Sequence, residues 1–576
     1  MGYRFFTLVG ETGTSYDDIE KALDEMGLQC AFATSKHKLF TSAQTPVFPI
    51  PGGGIIIGHL FSRDGRPIST DSFPRISPTS RGIRRLLLEY YWGEYLLLQP
   101  TADGEHFLTL MRDPSGGVPC VYSFRNGNGF ITSDISIATN LNLHANQIDW
   151  TYIAQCLAYP HLNTERTGLS NIRELLPGCS LQLHGTTIST QLEWSPWAFV
   201  AHDRRHSDPR EAEESLRSSI RTVVRSWAET DESLMLEISG GLDSSIVAAC
   251  LHDIRASVTC STLLTPVPGA DERQYARLVA QMLGADLHVE LLKLEHAHFD
   301  FALPAQSVTP AIGPLQHAVD EVMGAAGEAQ GAASHFCGSG GDSVFCYLTG
   351  ASPAADAFRA CGVRAGCVAI RDLSDLHRCT YWKAGRLTLR KLLRSHQPPS
   401  TWDSSFLPLC SAPRVEEIHP WFMAPSGALP GDRERIFDLA GTQIFRAQSP
   451  RGTKRWLRMP LLSQPVVESC LRIPTWMWIS GGRNRAVARS AFADILPLEV
   501  LNRRSKGTFM NYLGEVFQRN KPQIQEFLLS GRLGERGLLD LTAIRSFMES
   551  DLPLHGYVFT RIFDLCRVEN WVRHHP

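Results

Sequence analysis

The chain has 576 residues, with 56 Lys and Arg against 59 Asp and Glu, so its formal net charge is −3. This balance excludes the strongly basic class of nucleic-acid-binding proteins, and a hydrophobic fraction of 43% excludes a largely disordered chain. The apolar runs, such as residues 54–57 and 96–98, are too short to span a bilayer. The 14 cysteines form no CxxC pair or zinc-ligand pattern, which predicts reduced thiols in a cytoplasmic protein.

Residues 1–195 are predicted to form a β-rich domain. Short apolar runs, such as IIIGHLF at residues 55–61 and HFLTLMRD at residues 106–113, are separated by Gly, Asn and Pro. The mostly polar stretch 196–208 that follows is predicted to be a linker.

Residues 209–576 are predicted to form a second domain that begins with a helix at Pro209, capped by Asp208. Apolar runs then alternate with helical patterns, which is typical of parallel βαβ units in a doubly wound sheet. Beyond residue 350 the chain is predicted to be mainly helical. The strands are predicted over residues 234–238, 257–263, 287–290 and 332–337, and the helices between them over residues 271–283 and 314–331.

The heptapeptide SGGLDSS at residues 239–245 directly follows a predicted strand and opens a predicted helix. Its two glycines allow backbone N–H groups to approach an anion, and the helix N-terminus adds partial positive charge at the same place. Asp243 would repel a phosphate unless a divalent cation lay between them. The motif therefore predicts a Mg²⁺–pyrophosphate site, and the absence of GxxxxGK[ST] excludes a Walker loop.

This heptapeptide is similar to the ATP pyrophosphatase loop, and the chain resembles the asparagine synthetase family, which activates a carboxylate as an acyl-adenylate. GSGGD at residues 338–342 resembles the second glycine segment of that family. DERQYA at residues 271–276, PLLSQPVVE at residues 460–468 and RRSKG at residues 503–507 resemble further family segments in the same order. The resemblance implies an AMP-forming carbon–nitrogen ligase that uses ATP and Mg²⁺.

The site residues implied by this resemblance come from both glycine segments. Asp243 and Asp342 would bind Mg²⁺, and Lys506 would stabilise the charged transition state. Both acidic residues follow predicted strands, and ligands bind at the carboxyl edge of a parallel sheet. The residues expected to bind ATP and pyrophosphate are Ser239, Gly240, Gly241, Leu242, Asp243, Ser244, Ser245, Leu263, Gly338, Gly340 and Lys506.

The first domain resembles the N-terminal-nucleophile glutaminase of the glutamine-using members, at YWGE in residues 91–94 and RDPSG in residues 112–116. That enzyme requires a cysteine as its first residue, whereas this sequence begins Met1-Gly2-Tyr3. We therefore expect an inactive glutaminase-like sandwich, and an amine that arrives on a substrate.

Two branches of the family use an amine of their substrate, namely the β-lactam synthetases and the lasso-peptide macrolactam synthetases. Ser339 stands where asparagine synthetases carry Glu and β-lactam synthetases carry Tyr. A serine hydroxyl is a poor general base, but a peptide α-amine with a pKa of about 7.7–8.0 needs less help near pH 7. The sequence therefore favours a lasso cyclase. A β-lactam-type small-molecule amide synthetase, a glutamine-independent asparagine synthetase homologue and a non-catalytic ATP-binding module are the alternatives.

The resemblance to lasso cyclases implies a precursor peptide as substrate, and a leader peptidase and a leader-recognition protein as partners. Neither nucleic acid nor membrane is expected as a partner. Residues 350–450 are expected to wall the peptide pocket. His335, Asp372 and Asp375 are possible general bases, although a structural role explains each of them better.

Overall fold

The computed structural model describes residues 2–10, 16–51, 54–74, 80–100, 107–160, 163–252, 254–269, 271–393, 402–408, 413, 415, 417–447, 449–504, 507–550 and 558–575. No helix within these ranges combines the length and the apolar character that a membrane crossing requires.

The N-terminal part is a sandwich of two antiparallel sheets, which confirms the predicted β-rich domain. Among the described residues, one sheet has the strand order β10-β8-β9-β1-β3-β2 and the other has the order β12-β11-β7-β6-β5-β4. The elements are β1 (Phe5–Val9), α1 (Tyr16–Glu25), β2 (Gln29–Ala33), β3 (His37–Thr41), β4 (Val47–Ile50), β5 (Gly54–Ser62), α2 (Ser80–Tyr90), β6 (Tyr91–Pro100), β7 (Phe107–Arg112), β8 (Val121–Arg125), β9 (Asn128–Thr132), α3 (Ile135–Asn140), α4 (Trp150–Ala158), β10 (Arg173–Glu174), β11 (Cys179–His184) and β12 (Thr187–Leu192).

Strand β5 shows why the sequence of this domain contains continuous apolar runs. Ile55 and Ile57 face the core between the two sheets, whereas Ile56 and Leu60 pack against α2 on the outer face. Helices α1, α3 and α4 cover the outer face of the other sheet. Because both faces of the strand are covered, both sets of alternating positions are apolar.

A parallel sheet with the order β15-β14-β13-β16-β17 follows, which confirms the predicted doubly wound domain. The chain builds β13 to β15 in one direction and then returns to place β16 on the other side of β13, so a topological switch point lies between β13 and β16. The elements are α5 (Pro209–Ala228), β13 (Ser233–Glu237), α6 (Leu242–Leu251), β14 (Ser257–Leu264), α7 (Arg273–Leu283), β15 (Leu287–Leu291), α8 (Pro314–Ala329), β16 (Ser334–Phe336), α9 (Gly341–Val344) and β17 (Trp456–Arg458).

Helices make up most of the remaining chain, as predicted. The last of them do not pack on the parallel sheet alone, because α17 and α20 share one apolar core with α3 and α4 of the sandwich. These elements are α10 (Ser352–His377), α11 (Tyr381–Leu393), α12 (Pro430–Ala447), α13 (Arg451–Lys454), α14 (Gln464–Arg472), β18 (Ile479–Ser480), β19 (Arg483–Asn484), α15 (Ala486–Ala491), α16 (Leu498–Asn502), α17 (Met510–Leu529), α18 (Arg532–Glu535), α19 (Leu541–Glu549) and α20 (Val558–Arg573).

The predicted linker, residues 196–208, contains two short 3-10 helices, Pro196–Ala198 and His202–Arg204. The helix predicted from Pro209 is α5, and the Asp208 carboxylate accepts a hydrogen bond from the Arg210 N–H at 3.1 Å. This cap satisfies one of the N–H groups that the first turn of a helix leaves unpaired.

Candidate active site

The SGGLDSS loop turns sharply from β13 into α6. Gly240 has a φ of +65°, and Gly241 caps α6. A Cβ atom at Gly240 would lie 2.2 Å from Cβ of Tyr275, so glycine is required both by the backbone conformation and by the contact with α7. The N-terminus of α6 therefore faces the switch point, where its N–H groups can bind an anion.

The second glycine segment follows β16 and lies directly against the first. A Cβ atom at Gly338 would lie 2.5 Å from the backbone nitrogen of Ser244, and one at Gly341 would lie 2.3 Å from Cγ of Asp243. Strands β13 and β16 pair in parallel, with Leu236 opposite Phe336, so both segments leave the same edge of the sheet. The glycines allow two distant parts of the chain to form one loop cluster.

Replacement of Gly338 by Ala should separate these two segments. The added methyl group has backbone atoms of residue 244 in its way, so the loops must shift and we expect ATP affinity to fall at least about tenfold. Isothermal titration with a non-hydrolysable ATP analogue measures the effect. Gly324→Ala is the matched control, because a Cβ atom there meets only an ordinary contact at 3.9 Å. Wild-type affinity in Gly338→Ala would show that the close approach is dispensable.

Arg485 joins the two acidic residues that were predicted to bind Mg²⁺. Its Nη1 donates to both carboxylate oxygens of Asp243, at 2.8 and 3.0 Å, and to Oδ1 of Asp342 at 3.0 Å. The guanidinium lies 5.2 Å from the ring centre of Tyr347. Carboxylates that are 99 positions apart in sequence thus converge on one cationic group.

The donor set fits Mg²⁺. Carboxylate oxygens are the protein ligands that Mg²⁺ prefers, and in nucleotide sites phosphate oxygens and water complete its octahedron. Asp243 and Asp342 are close enough to share a single Nη1 atom, so they can share a small cation once the Arg485 side chain turns away. Arg485 itself was not predicted from the sequence.

Two further arginines, Arg489 and Arg503, flank the loop. Burial and the nearby guanidiniums of Arg485 and Arg483 lower the pKa of Arg489 to about 10. Arg503 donates to the Gly240 carbonyl at 3.1 Å. Cations held this close together are stabilised by a bound anion, as expected for a phosphate site.

The weaker motifs of the sequence meet at Arg503. Its guanidinium pairs with Glu272 and lies 4.2 Å from the ring centre of Tyr275, and both of these residues belong to the DERQYA segment. The same Glu272 carboxylate accepts the Gly507 N–H at 3.0 Å. DERQYA therefore anchors the RRSKG segment, of which Ser505 and Lys506 lie outside the described residues. The catalytic role of Lys506 stays a prediction.

A cavity of about 470 Å³ lies at this edge of the sheet and is called the nucleotide cavity below. Leu263, Met323 and Phe509 give it an apolar part, and Arg485, Arg489 and Arg503 a cationic part. The predicted residues that line it are Ser239, Gly241, Leu242, Asp243, Ser244, Leu263, Gly338, Gly340 and Asp342, together with Ser339.

Two predicted ligand residues do not line the nucleotide cavity. Ser245 is fully buried, and its hydroxyl donates to the Gly241 carbonyl at 2.7 Å, so this hydroxyl is directed into the loop and its contact with pyrophosphate stays a prediction. Gly240 turns toward Tyr275 and contributes the bend of the loop rather than a contact with the cavity.

The suggested general bases lie elsewhere. His335 is buried in β16, and burial, reinforced by Arg451 and Arg455, lowers its pKa to about 3. Asp372 lines a separate cavity of about 640 Å³, and Asp375 lies against Gly482. Of the described part of residues 350–450, only Thr442 lines the nucleotide cavity.

The strand order and the glycine loop at the switch point define a doubly wound α/β protein, with paired acidic residues and arginines at its candidate site. The asparagine synthase family profile matches residues 215–573, which is more than half of the chain. The chain belongs to this family, and membership supports an ATP-dependent, AMP-forming amide-bond ligase activity in general.

Among solved structures, the chain is similar to the glutamine phosphoribosylpyrophosphate amidotransferase from B. subtilis in complex with ADP and GMP. The identity is 10%, the match covers 50% of this chain and 81% of that chain, and the TM-score is 0.23. It is also similar to an allosteric regulatory enzyme of purine biosynthesis, at 12% identity over 50% of this chain and 75% of that chain, with a TM-score of 0.21. Comparison with curated proteins found no match.

Proposed function

We propose that the protein adenylates an Asp or Glu side-chain carboxylate of a precursor peptide and closes a macrolactam with the N-terminal amine of that peptide. The observation that carries the adenylation is the convergence of Asp243 and Asp342 on one cation beside the SGGLDSS loop. Acidic residues placed this way fit a phosphate site that also holds a metal ion.

The reaction has two steps. A carboxylate oxygen of the peptide attacks the α-phosphorus of ATP, the bond to the β-phosphate oxygen breaks, and pyrophosphate leaves over the N-terminus of α6. The amine nitrogen then attacks the acyl carbon, AMP leaves with the electron pair of the broken bond, and the amine loses a proton. The peptide has lost one water overall.

The residues around the nucleotide cavity have separate roles in these two steps. Mg²⁺ held by Asp243 and Asp342 would neutralise charge on the phosphates. Arg485 can exchange its carboxylate partners for phosphate oxygens, and Arg503 fixes the loop through the Gly240 carbonyl. Preorganised cations of this kind stabilise negative charge that develops in a transition state.

The pairing of the acidic residues of the cavity with arginine favours a weakly basic amine as the nucleophile. The carboxylates among the described lining residues all pair with arginine: Glu237 with Arg451, Glu272 with Arg503, and the two aspartates with Arg485. No histidine is found among these lining residues, and Ser339 lies where the motif resemblance places Glu in asparagine synthetases and Tyr in β-lactam synthetases. A peptide α-amine needs the least help from a base.

The sandwich domain supports a source of the amine other than glutamine. A cavity of about 260 Å³ near Gly2 has no cysteine among its described lining residues. The Gly2 N–H donates to the Thr453 carbonyl at 3.3 Å, and a Cβ atom at position 2 would lie 3.0 Å from the Gly452 carbonyl oxygen. A side chain at position 2 would therefore have to displace the Gly452 carbonyl of the synthetase part.

Mass spectrometry tests this proposal. The protein is incubated with ATP, Mg²⁺ and synthetic peptides that carry a free α-amine and one internal Asp or Glu. We expect a peptide product lighter by one water, together with equal amounts of AMP and pyrophosphate. Peptides with an acetylated N-terminus are the control, because they can support pyrophosphate exchange but cannot close the ring.

The alternatives predict different results. A small-molecule amide synthetase would show pyrophosphate exchange stimulated by small amino acids and not by peptides. A non-catalytic module would form no AMP with any of these substrates. Either result would contradict the proposed function.

A further inference from the structure

A second cavity, called the side pocket, lies between the sandwich and the synthetase part and has a volume of about 390 Å³. This size falls within the range of about 300–1,000 Å³ that is typical of small-molecule sites. Its wall combines α4 of the sandwich with α8, α12, α17 and α20, and the residues that define it are Tyr152, Leu315, Val319, Gly441, Leu513 and Phe563.

The side pocket and the nucleotide cavity are lined by neighbouring residues of three elements. On α8, Val319 lines the side pocket and Met323, one turn later, lines the nucleotide cavity. On α17, Leu513 lines the former, and Phe509, at the cap of the same helix, lines the latter. Residues four apart lie on the same helix face, so one face of each helix borders both cavities at successive turns.

The third shared element brings the side pocket next to the reaction site. Gly441 lines the side pocket, and its neighbour Thr442 lines the nucleotide cavity. The Thr442 hydroxyl lies 2.7 Å from that of Ser343, the residue that follows Asp342. A Cβ atom at Gly441 would meet no heavy atom of the described residues within 4 Å, which leaves space at this point of the pocket wall.

The side pocket is lined mainly by apolar residues, and its positive and negative side chains balance each other. Its charged lining residues among those described are Asp564 and Arg567, which lie 3.6 Å apart, and Arg567 also donates to the Pro310 carbonyl. Such a wall favours Leu, Phe and similar side chains and offers little to a small, strongly charged amino acid.

We infer that the side pocket binds apolar side chains of the peptide substrate and thereby holds its reacting groups beside the acyl-adenylate. This inference rests on the proposed function. Each apolar side chain transferred from water into such a pocket contributes about tenfold to a hundredfold in affinity. The enzyme would therefore select peptides by apolar residues outside the two reacting positions.

A binding experiment with the full chain tests the pocket separately from the reaction. Two sets of synthetic peptides share a free α-amine and one internal Asp, and their other positions carry either Leu and Phe or Ser and Asn. Retention is measured by size exclusion and mass spectrometry with α,β-methylene ATP and Mg²⁺ present. We expect at least about tenfold stronger retention of the apolar set by the wild type.

Variants at the junction assign the binding to the side pocket. Gly441→Phe should fill the free space and abolish the preference for the apolar set, whereas Gly441→Ala should behave as wild type. Leu513→Gln places an amide in the apolar wall and should also reduce the preference for the apolar set. This variant tests the pocket if Gly441→Phe does not fold. Affinity for the ATP analogue should be unchanged in all three variants.

The outcomes separate the two claims. Equal retention of both peptide sets, or a preference that survives in Gly441→Phe and Leu513→Gln, overturns the side pocket even if the enzyme forms AMP. Selective retention that the variants remove supports the pocket, and a lack of peptide-dependent AMP formation in parallel samples that contain ATP in place of the analogue would then contradict the proposed function alone.

Discussion

Asp243→Asn and Asp342→Asn should each reduce acyl-adenylate formation at least about a thousandfold, which corresponds to about 4 kcal/mol of lost transition-state stabilisation. Asparagine keeps the size of the side chain but removes the charge, so the metal ion loses one of its two anionic protein ligands beside the phosphates. Both residues line the nucleotide cavity, and both contact the same Nη1 atom of Arg485. Substrate-dependent exchange of pyrophosphate into ATP measures the effect.

Asp271→Asn is the matched control for these variants. Asp271 is exposed, lies close in sequence to the DERQYA contacts and pairs with Arg273 at 2.8 Å, but it does not line the nucleotide cavity. An exposed pair contributes about 0–1 kcal/mol, so this variant should keep nearly full activity. If either Asp243→Asn or Asp342→Asn retained a rate close to that of the control, the metal assignment would be wrong.

Arg458→Met should lower the free energy of unfolding by about 3–5 kcal/mol, because it leaves buried carboxylates without their cation. Arg458 is buried at the end of β17, and its Nη1 lies 3.1 Å from Glu94 of the sandwich. Its guanidinium also lies 4.2 Å and 4.8 Å from the ring centres of Trp227 and Trp456. Denaturant titration followed by tryptophan fluorescence measures the loss.

Two further variants control this prediction. Arg217→Met removes a guanidinium that pairs with the exposed Asp494 at 2.8 Å, and it should cost about 1 kcal/mol or less. Adding Glu94→Gln to Arg458→Met removes the unpaired buried charge and should recover part of the stability. A loss in Arg458→Met no larger than that in Arg217→Met would show that the buried pair does not join the two parts of the chain.

The sequence allowed prediction of the centre of the site because glycine, serine and aspartate act there through the backbone. SGGLDSS and GSGGD each follow a strand, and adjacent parallel strands end at the same edge, so the meeting of Asp243 and Asp342 required only the strand order. Strand order does not determine the direction of individual side chains at the start of α6. The Ser245 hydroxyl, for instance, points inward to the Gly241 carbonyl.

Other features depend on tertiary contacts that no local pattern marks. Arg485 reaches the acidic pair from the N-cap of α15, more than a hundred residues further along the chain than either glycine segment, and nothing in its neighbouring sequence distinguishes it from Arg483. Helix α4 was missed because its sequence, WTYIAQCLA, is mostly buried between the sandwich and α20 and lacks a polar face. Strand β17 is three residues long, too short for a hydrophobic period.

A crystal structure with Mg²⁺ and α,β-methylene ATP tests the central claim most directly. The expected result places the β- and γ-phosphates over the N-terminus of α6, with one Mg²⁺ bound by both Asp243 and Asp342 and the Arg485 side chain moved from the carboxylates to the phosphates. A nucleotide bound elsewhere, or one bound while Arg485 still bridges the two carboxylates, would contradict it.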